Sequence, residues 1–269
     1  MDGIRRRASA RRLFVSMIRW LARLPGLIVA CVTVAHAADA SAARRESFEY
    51  SGINRTFYLF ASESAGSGPA PLLVLLHGSG GEGRDMVAAW QQLAASEGFV
   101  VVGPDARDRK AWQIRADGPA YVHQLVDAVE ARHPIDRQRL YLFGHSGGAV
   151  YALTLSMIES EFFAATAVHA GAWRTSREFI AVPHARRKIP IAIFIGDRDE
   201  YFPSQSARNT QAALLEAGHD VRLTIMPRHT HNYWKVAADL NRDAWQFMKA
   251  VRLGSATTGY TSSSDNSQG

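Results

Sequence analysis

The chain has 269 residues, 47% of them hydrophobic and 21% charged, which is enough for one large domain with a substantial core. Its formal net charge of +6 is local. Seven arginines and one acid, Asp2, fall within residues 1–37, and the remainder carries 24 residues of each sign, which excludes a broad basic surface for nucleic acid. The single cysteine, Cys31, lies in the same segment, so the rest of the chain has neither disulfides nor thiol chemistry and relies on its core.

The chain opens on Arg5, Arg6, Arg7, Arg11 and Arg12, then an apolar run over 24–34 interrupted by Pro25 and Gly26, then Ala35-His36-Ala37. This is the layout of a secretory signal peptide spanning 1–37, cleaved after Ala37. The run is too short and too interrupted to span a bilayer, so no stable membrane insertion is expected once the leader is removed. Residues 10–15 resemble a twin-arginine signal. Ile28-Val29-Ala30-Cys31 loosely resembles a lipidation site, but the apolar sequence continues through Val34. Export to the periplasm or the medium is therefore expected. Residues 38–46 read as a linker.

The catalytic-size domain is expected over 47–253. Residues 47–50 and 55–60 alternate in polarity around Gly52-Ile53-Asn54 and read as an antiparallel hairpin. Residues 65–69 are a Gly/Ser-rich connection. The continuous apolar run 71–76 reads as a strand buried on both faces. Residues 84–97 have helical spacing, and 99–102 form the next strand, ended by Gly103-Pro104. A helix over 120–132, a strand over 140–143 and a small-residue helix from Gly147 follow. Strands at 164–169, 189–195 and 221–226, a helix at 204–217 stopped by Gly218, and a closing helix at 234–251 complete the domain. The tail, 254–269, is rich in Ser, Thr and Gly and reads as disordered. Strands alternating with helices imply a mostly parallel sheet of about eight strands with helices on both faces and an antiparallel N-terminal hairpin at one edge, an α/β class.

In open sheets of this kind, sites lie beyond the carboxyl ends of the strands. Four strand ends carry chemistry. After Leu76 comes His77-Gly78-Ser79-Gly80-Gly81, a loop whose backbone N–H groups are free of bulky side chains, and in which His77 reads as structural. After Phe143 comes Gly144-His145-Ser146-Gly147-Gly148, a G-x-S-x-G turn that pushes a serine hydroxyl out of the sheet. The N–H groups of Ser79 and Gly147 could together hold a developing oxyanion. After Ile195 come three competing carboxylates, Asp197, Asp199 and Glu200, one of which could orient an imidazole. After Met226 come His229 and His231, both candidate bases for Ser146. No compact set of further ligands accompanies the two histidines, so neither a metal nor another cofactor is expected.

A nucleophile, an acid and a base in the order Ser, Asp, His, each at a strand end, is the order of the α/β-hydrolase fold. Over about residues 48–251 the chain resembles that superfamily, and within it the small secreted esterases of the polyhydroxybutyrate depolymerase, feruloyl esterase and dienelactone hydrolase-like groups. The motifs that carry the resemblance are 76–80 (LHGSG), 144–148 (GHSGG), 196–203 (GDRDEYFP) and 227–233 (PRHTHNY). The family pattern G-x-x-D-x-x-(V/F)-P places the acid on Asp199. The spacing after Pro227 favours His231 over His229, although the glycine that usually precedes this histidine is absent. The resemblance implies a serine esterase acting on a small-molecule or polymeric ester through an acyl-enzyme. A serine peptidase or polyester depolymerase on the same residues, and a non-catalytic binding protein of this fold, are the alternatives. Trp112, Trp173, Tyr201, Phe202 and Tyr233 are expected to line the pocket. The short excursion over 174–188 leaves no room for a large lid.

Overall fold

A computed structural model of the chain describes residues 43–62 and 68–254. The leader with Cys31, most of the linker, and the tail from 255 lie outside the described residues. Strand β1 (Arg44–Tyr50) pairs with β2 (Ile53–Ala61) across Ser51 and Gly52. Both turn residues have positive φ, 52° and 74°, the left-handed pair whose twist matches a two-residue hairpin. β1 starts earlier than the sequence pattern indicates. Arg44, Arg45 and Glu46 pair with Leu59, Tyr58 and Phe57, so these three residues belong to the strand and not to the linker. They were illegible because they sit on an exposed sheet edge, where charged side chains replace apolar alternation.

Strands β3 (Ala70–Leu76), β4 (Val100–Pro104), β5 (Ile135–His145), β6 (Ala165–His169), β7 (Ile191–Gly196) and β8 (Val221–Met226) complete one sheet in the order β1-β2-β4-β3-β5-β6-β7-β8. The β1/β2 and β2/β4 junctions are antiparallel. Every junction from β4 to β8 is parallel. The expected fold class holds.

Alternate residues of β3 feed two cores. Leu72, Val74 and Leu76 pack with one cluster and Leu73 and Leu75 with the other, which is why this strand is apolar without a break. Helices α1 (Gly83–Glu97) and α7 (Ala237–Met248) cover one face through Trp90, Leu240 and Trp245. Helices α3 (Pro119–Glu130), α4 (Gly147–Ile158) and α6 (Ser204–Glu216) cover the other, through Leu125, Leu153 and Leu214. Two four-residue helices, α2 (Ile114–Asp117) and α5 (Ser176–Phe179), lie in loops at the carboxyl end of the sheet. The expected closing helix is divided: a 3₁₀ turn at Tyr233–Lys235 precedes α7. Among the described residues no helix is long and apolar enough to cross a membrane.

Candidate active site

The turn between β5 and α4 is built by glycines. A Cβ on Gly144 would come within 2.3 Å of the Gly148 carbonyl oxygen, and one on Gly148 within 2.3 Å of that of Leu76. Only bare backbone lets α4 start so close to two strands. Ser146 sits at the apex with φ 55° and ψ −119°, a conformation that costs a non-glycine residue roughly 1–3 kcal/mol. It is held by three backbone bonds. Its N–H donates to the His169 carbonyl at 3.0 Å, and its carbonyl accepts from Ala149 and Val150 at 2.9 and 3.2 Å. The result aims Oγ away from the sheet.

His231 Nε2 lies 2.7 Å from Ser146 Oγ, and His231 Nδ1 lies 2.9 Å from Asp199 Oδ2. Asp199 has a fully buried side chain, and its Oδ1 accepts the N–H groups of Tyr201 and Phe202 at 2.9 and 2.8 Å. Burial alone would raise its pKa. The hydrogen bond from His231, the two backbone N–H groups and the attraction of the imidazole outweigh that and hold the carboxyl below its ordinary value. Asp197 is exposed at the surface. Glu200 accepts the His231 N–H at 3.3 Å, so it supports the loop and does not face the ring nitrogens. His229 turns the other way: its Nε2 lies 3.0 Å from His169 Nε2. Of the two histidines, the structure brings His231 to the serine.

The loop after β3 lies against the start of α4. A Cβ on Gly147 would sit 2.6 Å from Ser79 Oγ and 3.4 Å from Ser79 N. The N–H groups of Ser79 and Gly147 are therefore neighbours, and a larger residue at Gly147 would intrude between them. His77 is a buried strut of this loop. Its Nδ1–H donates to the Gly78 carbonyl at 2.8 Å, and its Nε2 accepts the Ala106 N–H at 3.1 Å. Burial lowers its pKa.

Ser146 opens into a cavity of about 780 Å³ whose walls include Trp112, Ile114, Val150, Tyr201 and Phe202, with Arg174, Arg177 and Glu178 beside them. Trp112 stacks on Tyr151 at 5.6 Å, and its Nε1–H donates to the His77 carbonyl at 2.9 Å. The Arg174 guanidinium lies 4.5 Å over the Phe202 ring. Trp112 and Tyr201 thus line the pocket as expected, but Trp173 and Tyr233 do not. Trp173 is fully buried in the core. Its N–H donates to Thr210 Oγ1 at 3.0 Å and its indole N–H to Thr154 Oγ1 at 3.3 Å, which draws the ring under α4. Tyr233 is also fully buried, with its hydroxyl on Asn241 Oδ1 at 2.7 Å.

One structural feature that supports the pocket wall has no local signal. Arg55 of β2 and Asp117 of α2, both buried, pair at 2.6 Å. Arg55 also donates to the carbonyls of Ala116 and Asp105, at 2.8 and 3.1 Å. Asp117 accepts the N–H groups of Arg107 and Gln113, both at 2.9 Å. The pair thereby holds the 105–118 loop that carries Trp112. Among the described residues no group of three or more His, Cys, Asp or Glu side chains could hold a metal ion.

A hydroxyl on an imidazole whose other nitrogen faces a buried carboxylate, beside two neighbouring backbone N–H groups, is the equipment for nucleophilic attack on a carbonyl. The sheet order and this placement define an α/β-hydrolase fold. The profile of the phospholipase/carboxylesterase family matches residues 99–243, and the chain belongs to that family. Among curated proteins it is similar to the bifunctional acetylxylan esterase/xylanase XynS20E of Neocallimastix patriciarum, 29% identical over 154 residues. That match takes in 55% of this chain and only 22% of the relative. Among solved structures it is similar to a thermostable esterase (TM-score 0.64, 20% identity, 78% of this chain and 63% of that one). It is also similar to Est1E of Butyrivibrio proteoclasticus (TM-score 0.62, 17% identity, 77% and 98%). A third is the S-formylglutathione hydrolase of Agrobacterium tumefaciens (TM-score 0.60, 19% identity, 79% and 95%). At these identities the structures speak to the fold.

Proposed function

We propose that the protein is an exported serine hydrolase that cleaves carboxylic esters through an acyl-enzyme, with Ser146 as nucleophile, His231 as base and Asp199 as its orienting acid. The observation that carries the reading is the row Asp199 Oδ2, His231 Nδ1, His231 Nε2, Ser146 Oγ, with contacts of 2.9 and 2.7 Å. Ser146 Oγ bonds to the ester carbonyl carbon as its proton passes to His231 Nε2. The carbonyl oxygen, now negative, accepts the N–H groups of Ser79 and Gly147. His231 gives its proton to the departing alkoxide, which leaves as the alcohol. Water then attacks the acyl carbon while His231 takes its proton. Ser146 leaves with that proton, and the carboxylic acid is released.

The open cavity, with Trp112, Tyr201 and Phe202 among its walls beside Arg174, Arg177 and Glu178, supports small or polymeric esters over long lipid chains. The similarity to an acetylxylan esterase supports a short acyl group on a polymer. The leader layout supports export, with Ala38 as the first residue of the mature chain. Ser146→Ala tested on p-nitrophenyl acetate and butyrate is expected to lower turnover at least about 10⁴-fold. Near-normal turnover would remove this mechanism. A panel adding feruloyl esters, acetylated xylan, polyhydroxybutyrate and a peptide amide reads out the substrate.

A further inference from the structure

Behind the serine, three imidazoles form a hydrogen-bonded string that the ester chemistry does not use. His145 Nδ1 lies 3.1 Å from His169 Nδ1, and His169 Nε2 lies 3.0 Å from His229 Nε2. Each neutral imidazole carries one N–H and one acceptor nitrogen. His169 can therefore donate at one end and accept at the other, and the string closes whichever end donates. His169 is fully buried. Burial, then the neighbouring His145, His229 and His231, keep its pKa well below the ordinary value, so the string is neutral at working pH.

The three rings come from three different elements. His145 ends β5 and directly precedes Ser146. His169 ends β6. His229 follows β8 and stands two residues before His231. The His169 backbone carbonyl also accepts the Ser146 N–H at 3.0 Å. The His145 ring, fixed from one side by His169 at 5.1 Å, lies 5.2 Å from the His231 ring on another. Tyr233 packs on both His145 and His169, at 5.2 and 5.5 Å. The loop bearing His231 has no regular secondary structure between β8 and the 3₁₀ turn at Tyr233. The His229 carbonyl accepts the Arg198 N–H at 3.0 Å, which ties the loop to the end of β7, and the imidazole string is what ties it to the nucleophile turn.

We propose that His169 is a positioning residue that sets the spacing of Ser146 and His231, by holding with one ring the residue before the nucleophile and the residue two before the base. An asparagine amide reaches the place of Nδ1 only, and a phenylalanine keeps the ring volume with no bond at all. The proposal rests on the reading of Ser146 and His231 as nucleophile and base.

The test compares His169→Phe, His169→Asn and Ser146→Ala by steady-state kinetics on p-nitrophenyl butyrate and by the rate of labelling with a fluorophosphonate probe. His169→Phe is expected to lower kcat and the labelling rate about 10–100-fold, as for a displacement near 1 Å, with KM within about twofold because the cavity walls are untouched. His169→Asn, which restores the bond to His145, is expected to recover several-fold of that loss. Phe at wild-type kcat, or Asn no better than Phe, overturns the proposal. If His169→Phe does not fold, His229→Gln and His229→Leu decide it. Gln keeps a polar group at the Nε2 position and should retain at least about tenfold more kcat than Leu; equal rates overturn the proposal. Full turnover by Ser146→Ala instead overturns the nucleophile reading, whatever the histidine variants do.

Discussion

Asp199→Asn changes one atom and leaves the volume of the site unchanged. Oδ1 can still accept the N–H groups of Tyr201 and Phe202, at 2.9 and 2.8 Å, so the loop keeps its shape. Those two bonds orient the amide and put its NH₂ where Oδ2 stood, 2.9 Å from His231 Nδ1 and nearer to it than Oδ1, which lies at 3.1 Å and is already engaged by the two N–H groups. An NH₂ donates, so Nδ1 becomes an acceptor and the ring proton moves to Nε2, which faces Ser146 Oγ at 2.7 Å. In that tautomer the imidazole cannot take the serine proton. The negative charge that stabilises the imidazolium during attack is lost as well. The two effects together cost a factor of about 10⁴ in kcat, or about 5.4 kcal/mol. The assay is kcat and KM on p-nitrophenyl butyrate at pH 7.5, with thermal unfolding as the control for folding. KM should change by less than about threefold, because Asp199 is buried behind His231 and does not line the cavity. A loss in kcat below about tenfold would refute the reasoning, since it would mean that His231 works without its orienting carboxylate.

Other consequences follow from buried charge. Asp117→Ala leaves the Arg55 guanidinium buried without its counter-charge, at a cost of about 3–5 kcal/mol measured by urea unfolding, whereas Arg55→Met with Asp117→Leu should recover most of it. Because the pair holds the loop carrying Trp112, the single variant should also lose kcat/KM on bulky esters more than on p-nitrophenyl acetate. Stability should fall in acid. Burial, then the neighbouring His231, lower His145 to about 4 from 6.5, so between those values the unfolded chain takes up a proton that the native state refuses. The buried, hydrogen-bonded Asp199 acts in the same direction, its contribution being lost as pH falls. From pH 7.5 to pH 5 His145 alone removes about 2 kcal/mol, read as a lower urea midpoint; an unchanged midpoint would contradict a neutral buried string.

Much of this molecule could be read from its residues because burial writes itself into sequence. β3, flanked by strands and covered on both faces, is an unbroken apolar run, and α1 shows Met86, Val87 and Trp90 at helical spacing. The chemistry at the strand ends was legible because a nucleophile, acids and histidines stood after successive apolar runs. What stayed hidden has no local signature. The first half of β5 carries Asp136, Arg137, Gln138 and Arg139 at exposed and half-buried positions, and a register shift separates its Ile135 pairing from that of Leu140. Arg55 and Asp117 are 62 residues apart in sequence, and neither differs locally from a surface charge. His169 looked like the last residue of a buried strand, and only the packed sheet shows that it meets His145 and His229. Trp173 also follows a strand that points at the site, but hydrogen bonds to Thr154 and Thr210 pull it into the core.

The central claim is that Ser146 is the nucleophile. A fluorophosphonate probe reacts preferentially with an activated serine hydroxyl, forming a P–O bond as fluoride leaves, and peptide mass spectrometry locates it. Stoichiometric labelling on the peptide containing Ser146, abolished in Ser146→Ala together with ester turnover, is the predicted result. Labelling at another serine, or ester hydrolysis undiminished in Ser146→Ala, would contradict it.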